Sequence, residues 1–194
     1  KVSMPNPAPV SAPFPVAWIT GASTGIGHAL ALRLAAEGCT IAASARGADA
    51  LSELEQEAAT LPGRIVAVPL DVTDADAVRK AGDRIVNELG VPDLCVLNAG
   101  NFIPINARRL NAADVESQFD LNVMGVVRVL ESVIPGMVKR KSGRIAVVAS
   151  VSGYRGLRSA LGYGATKAAL INMCEAMRME LGDQGITVQV VNPG

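Results

Sequence analysis

The chain has 194 residues, 49% of them apolar and 19% charged. That is too apolar for a disordered segment and long enough for one α/β domain with a buried core. Its 18 basic and 18 acidic residues cancel, which argues against the basic excess of nucleic-acid and membrane-surface binders. A single histidine, His28, rules out a histidine-cluster metal site. Cys39, Cys95 and Cys174 form no Cys-x-x-Cys pair. They argue for a reducing, cytoplasmic setting rather than a disulfide framework or zinc ribbon.

Residues 1–15 contain Pro5, Pro7, Pro9, Pro13 and Pro15 and read as an extended, Pro-rich arm. Residues 2–32 carry no Asp, Glu, Lys or Arg, yet the prolines break any membrane span or signal-peptide core. Residues 16–194 read as one domain in which strands and helices alternate. Strands are expected at 16–20, 40–45, 64–70, 93–97, 144–149 and 186–191. Helices are expected at 25–37, 48–59, 73–89, 111–139 and 161–181. Thr73-Asp74-Ala75-Asp76 resembles a capping box, and Asn111 with Asp114 is a second helix start. Such alternation calls for a doubly wound, Rossmann-type parallel sheet with helices on both faces. Its ligands lie beyond the carboxyl ends of the strands. Asn192-Pro193-Gly194 directly follows the last strand, so further sequence is expected beyond it.

Thr20-Gly21-Ala22-Ser23-Thr24-Gly25-Ile26-Gly27 lies between the first strand and the first helix. Glycines there permit a sharp turn and close backbone approach to a pyrophosphate. The helix start adds unpaired N–H groups and partial positive charge. The glycine spacing is Gly-x-x-x-Gly-x-Gly, with Thr20 ahead. Asp71-Val72 follows the third strand, Asn98-Ala99-Gly100 the fourth, and Ser150 the fifth. Asn122 lies on the long helix, Tyr163-x-x-x-Lys167 on the next, and Pro193-Gly194 after the last strand. Each motif alone is weak, and a lone Tyr-x-x-x-Lys is usually an ordinary helix-surface pair. Together, over residues 16–194, they resemble the short-chain dehydrogenase/reductase family, and in particular its alcohol/carbonyl branch.

The chemistry agrees with the pattern. Tyr163 and Lys167, four apart, share one helix face. Free tyrosine titrates near ~10 and is a poor base at neutral pH, but a nearby ammonium favours the phenolate. Tyr163 can then exchange a proton with a substrate oxygen that Ser150 holds by a hydrogen bond. The resemblance gives Lys167 a second task on the nicotinamide ribose and places Asn122 in a water-linked proton relay to Lys167. It implies cofactor contacts at Thr20, Gly21, Ser23, Thr24, Gly25, Ile26, Gly27, Asp71, Val72, Asn98, Ala99, Gly100, Pro193 and Gly194, besides Tyr163 and Lys167.

The second strand ends Ser44-Ala45-Arg46, with no carboxylate for a ribose 2′-hydroxyl. Arg46 can pair with a 2′-phosphate, with Ser44 as an extra donor. NADP(H) is therefore the favoured cofactor and NAD(H) the alternative, because Thr24 stands where the family often carries a second basic residue. The expected reaction is reversible oxidation of a small-molecule secondary alcohol, or reduction of a ketone, by a homodimer or homotetramer. The competing readings are a non-catalytic dinucleotide sensor and an oligomerisation domain of the same fold. Asn101, Phe102 and residues 152–162 are expected to edge the substrate pocket.

Overall fold

Apolar strands alternating with helices can bury their surfaces by layering helices on both faces of a parallel sheet. The computed structural model describes residues 12–194 and has this arrangement. Its strands are β1 (Val16–Thr20), β2 (Thr40–Ser44), β3 (Arg64–Ala67), β4 (Leu94–Leu97), β5 (Gly143–Val148) and β6 (Ile186–Val191). They form one parallel sheet in the order β3-β2-β1-β4-β5-β6. Strand order reverses between β1 and β4, which opens a crevice at their carboxyl ends.

Two cores flank the sheet. Helices α1 (Gly25–Ala36) and α2 (Ala48–Glu57) cover Ala17, Ile19 and Ile41 on one face. Helices α3 (Ala75–Leu89), α5 (Gly125–Arg140) and α6 (Leu161–Leu181) cover Trp18, Cys95 and Ile145 on the other. Helix α4 (Ala112–Phe119) runs into α5 through a π-helical turn, Asp120–Met124. By length and composition Ala112–Arg140 could cross a membrane. Here Val126, Val129, Val133 and Met137 are buried, as in a core helix of a folded domain.

Three local expectations change. The third strand ends at Ala67 instead of 70, because Pro69 has no N–H for the ladder. Val68 and Leu70 still donate to Ala43 O and Ala45 O, each at 2.9 Å, so the segment stays beside β2. The cap of α3 is Asp74, whose Oδ1 accepts Ala77 N–H at 3.0 Å. Thr73 instead donates to Asp71. The helix expected over 111–139 is interrupted by the π turn, in which Asn122 sits. Asn111 does cap it, accepting from Ala113 N–H. Of the arm, residues 1–11 lie outside the described residues. Ala12 and Phe14 pack against the α1–α2 core, and the Arg144 guanidinium lies 5.4 Å from the Phe14 ring centre.

Candidate active site

The glycine turn after β1 is shaped by close backbone contact. Gly21 and Gly25 have φ of +66° and +58°, in the left-handed region that glycine adopts without strain. A Cβ on Gly21 would lie 2.8 Å from Asn98 Nδ2 and 2.9 Å from Ala99 Cα. One on Gly27 would strike the Gly21 carbonyl oxygen. Asn98 Nδ2 donates to Thr20 O at 3.2 Å and to Gly21 O at 3.0 Å. Thr20 Oγ1 in turn accepts from Asn98 N and Ala99 N, at 3.1 and 3.2 Å, and faces Val96 O at 3.4 Å. The Thr20 hydroxyl is thus buried and committed to joining β1 to β4. Asn98 thus holds the cradle from the β4 side.

Helix α1 starts at Thr24 with no side-chain cap and no acidic residue in its first turn. Its first N–H groups remain free for an anion. A cavity of about 460 Å³ lies in front of them. Gly21, Ser23, Thr24 and Ile26 line its cradle end, Asp71 and Val72 its middle, and Ser44 and Arg46 the end of β2. Asn98, Ala99 and Gly100 line it toward the substrate side. Gly25 and Gly27 shape the turn from outside this lining. The Ser44 hydroxyl accepts the indole N–H of buried Trp18 at 2.9 Å. Ser44 is 1% exposed, and accepting this core bond leaves its own O–H to donate. Asp71 accepts from Thr73 N–H and Oγ1–H, which hold its carboxyl below the usual range. Burial opposes this, and the Arg46 and Arg128 cations assist it more weakly.

A second cavity of about 340 Å³ shares Ile26, Asn98, Gly100 and Asn101 with the first. Ser150, Tyr163 and Lys167 line it, with Phe102, Pro193 and Gly194. Ser150 directly follows β5, and its Oγ accepts from Ser152 N–H at 3.2 Å. Its own O–H is left to donate. Tyr163 and Lys167 share a face of α6, with Nζ 5.4 Å from the tyrosine ring centre. Lys167 is 4% exposed, and Nζ donates to Val148 O at 2.8 Å at the end of β5. Burial disfavours its charge and pushes its pKa down to about 8. The Phe102 ring meets Tyr163 edge-on, centroids 5.2 Å apart.

Asn122 is fully buried. Its Oδ1 accepts from Asn101 N–H, and Nδ2 donates to Asn101 O and Thr166 Oγ1. Both amide hydrogens are therefore engaged, by Asn101 O and Thr166 Oγ1. Two contributors escaped the sequence reading. Thr166 links Asn122 to Tyr163, because its hydroxyl donates to Tyr163 O at 2.7 Å. Gln118 holds the backbone of Ile103. The available signal was a pair of carboxamides, Gln118 and Asn122, four residues apart on the same predicted helix.

A family model described as short chain dehydrogenase matches residues 15–194. The chain belongs to the short-chain dehydrogenase/reductase family. It is 36% identical over 179 residues to the 3-oxoacyl-[acyl-carrier-protein] reductase FabG of Thermotoga maritima, covering 92% of this chain and 73% of that one. It is 39% identical to an uncharacterized oxidoreductase of Myxococcus xanthus, covering 93% and 72%. An NAD⁺-bound xylitol dehydrogenase structure superposes with TM-score 0.89 at 32% identity, covering 92% and 69%. A 7α-hydroxysteroid dehydrogenase solved with NADH and 7-oxo glycochenodeoxycholic acid gives TM-score 0.88 at 30% identity, covering 92% and 70%. The protein is thus an oxidoreductase of a family that uses NAD(H) or NADP(H).

The buried lysine has a signature in stability. An unfolded lysine titrates near ~10.4. Between pH about 8 and that value the unfolded chain keeps a proton that folded Lys167 has released. Stability therefore rises with pH there. Thermal melts from about pH 7.5 to about pH 9 should show the rise in the wild type and lose it in Lys167→Met. The same pH dependence in both proteins would refute a depressed Lys167.

Proposed function

We propose that the chain carries reversible hydride transfer between NADP(H) and a small secondary alcohol or ketone, with Tyr163 as the proton donor and acceptor. The observation behind this is the convergence of Ser150, Tyr163 and Lys167 on a cavity that adjoins the glycine cradle. Gly21, Gly25, Gly27 and the start of α1 would hold the pyrophosphate, Asp71 and Val72 the adenine side, and Asn98–Gly100 with Pro193 and Gly194 the nicotinamide side. When bound, the cofactor supplies or accepts the hydride. In the reducing direction Tyr163 Oη gives its proton to the carbonyl oxygen, and in the oxidising direction it takes that proton back. The free O–H of Ser150 donates to the same oxygen and orients it. Lys167, drawn against Val148 O, favours the negative charge left on Tyr163. Asn122 contributes by fixing Asn101, which borders both cavities. The relatives named as 3-oxoacyl reductase, hydroxysteroid dehydrogenase and xylitol dehydrogenase support chemistry at CH–OH and C=O groups.

The preference for NADP(H) rests on Arg46 at the cofactor cavity, with no carboxylate at the end of β2. NAD(H) is the second reading, favoured by the nicotinamide forms in the neighbouring structures. Assembly is proposed through the long helices, where Met124, Leu161 and Met179 are exposed at 43%, 41% and 80%. The buried free thiols fit a reducing compartment.

Tyr163→Phe should lower turnover by at least about 100-fold while NADPH still quenches protein fluorescence as in the wild type. Unchanged turnover would remove Tyr163 from the chemistry. Arg46→Asp should weaken NADPH about 10- to 100-fold and leave NADH nearly unchanged, as expected for one charge-assisted pair. Equal losses for both dinucleotides would refute the cofactor preference. Sedimentation velocity should give a dimer or tetramer, and a monomer throughout would overturn the proposed assembly.

A further inference from the structure

We infer that Gln118 is a positioning residue that sets Phe102 against Tyr163 and thereby fixes the width of the substrate cavity. The inference rests on the reading of Tyr163 as the acid–base group.

The segment after Gly100 is held like a strand without belonging to the sheet. In an extended chain, alternate residues direct both backbone groups to the same edge. Asn122 bonds the N–H and the C=O of Asn101, each at 2.9 Å. Gln118, one helical turn earlier, does the same for Ile103: Oε1 accepts N–H at 3.3 Å and Nε2 donates to O at 3.2 Å. Ile105 completes the series through a parallel bridge to Ala160, with its N–H donating to Ser159 O at 2.9 Å. Two carboxamides on a helix thus stand in for a neighbouring strand at residues 101 and 103, and a loop takes over at 105. Ser159 adopts φ +64°, rare for a residue with a side chain, while presenting that carbonyl.

Phe102 lies between the two carboxamide-bound residues. It is 51% exposed, lines the cavity with Ser150 and Tyr163, and puts its ring edge-on to Tyr163. An exposed phenylalanine on an isolated loop would have no reason to keep one orientation. Here the backbone on either side is bound by buried amides. Gln118 is 0% exposed, and both its hydrogen bonds go to Ile103. Burial of such an amide is tolerable because both its polar atoms are satisfied. Gly162, beside Tyr163, tightens the arrangement. A Cβ there would lie 2.8 Å from Gln118 Nε2 and 2.9 Å from Ile105 Cδ1. Gln118 is therefore packed between the start of α6 and the segment that carries Phe102.

The chain has two tyrosines, Tyr154 and Tyr163, so ring-labelled tyrosine NMR reads the contact directly. Phe102→Ala should shift the Tyr163 ring signals by removing the aromatic ring current and leave those of Tyr154 in place. Gln118→Met, nearly the same size but without the amide, should reproduce at least half of that shift. Gln118→Glu keeps the acceptor and loses the donor, so it should show the shift at pH 8. It should lose it toward pH 6 as the buried carboxyl regains a proton and with it a donor. Wild-type Tyr163 signals in both Gln118 variants would overturn the inference. If Gln118→Met does not fold, the pH reversal in Gln118→Glu decides.

Reduction of 2-butanone and 4-phenyl-2-butanone by NADPH adds the functional arm. The ratio of kcat/KM for the two ketones should change about tenfold in Gln118→Met, with NADPH affinity unaltered. Combining it with Phe102→Ala should add nothing to the Phe102→Ala change, and additive effects would show that Gln118 does not act through Phe102. If the wild type binds NADPH but reduces neither ketone, the proposed reaction falls, and the tyrosine signals alone decide the role of Gln118.

Discussion

The tie between Thr20 and Asn98 is the constraint on which the rest of this site depends. It joins the carboxyl ends of the two strands where sheet order reverses. Each residue uses its side chain to satisfy the other's backbone, so neither strand end needs water to complete its hydrogen bonds. The cost is space. With Asn98 Nδ2 against Gly21 O and Ala99 packed beside it, only a residue without a side chain fits at position 21. The same crowding excludes a side chain from position 27. Gly21 and Gly27 are thus a consequence of drawing β1 and β4 together, as much as of any ligand's approach.

A second consequence concerns charge. Lys167 has to reach the end of β5 from helix α6, and the route passes beneath Tyr163. It arrives in a nearly dry place with a backbone carbonyl as its hydrogen-bond partner. Desolvation then weakens its hold on the proton. A surface lysine at the same spacing would keep its charge more easily, because water would solvate it. Burial is therefore what separates this Tyr-x-x-x-Lys from the many helix-surface pairs with the same spelling.

The third element is the use of carboxamides where the sheet provides no partner. Asn122 sits in the π turn of the long helix, and Gln118 lies just before that turn. A π turn is weaker than α-helix and persists where its surroundings compensate it. Here Asn122 is tied to Asn101 and Thr166, so the irregular turn and the edge of the cavity beside Tyr163 secure each other. The arrangement joins α4, α6 and the loop after β4 into one unit around Tyr163.

Much of this was legible in the chain itself. Strand and helix alternation, the turn chemistry of Gly21–Gly27 and the order of the motifs follow from local preferences and from rules that hold for any parallel α/β sheet. Those determined the fold class and the crevice, and they singled out Ser150, Tyr163 and Lys167, which line one cavity. β3 stops three residues short of the apolar run's end at Leu70, because Pro69 has no N–H to give the ladder. The cap at Asp74 was decided by local chain geometry, and the π turn at Asn122 and the bond that turns Ser44 toward Trp18 by tertiary structure. Each depends on which group lies across a gap: Thr73 chooses Asp71 because the chain turns back on it, and Ser44 meets Trp18 because their strands pair. The sequence by itself determined which residues could do chemistry. Only the folded chain decided which polar groups remain free to do it, because hydrogen bonds are saturable and the fold allots them.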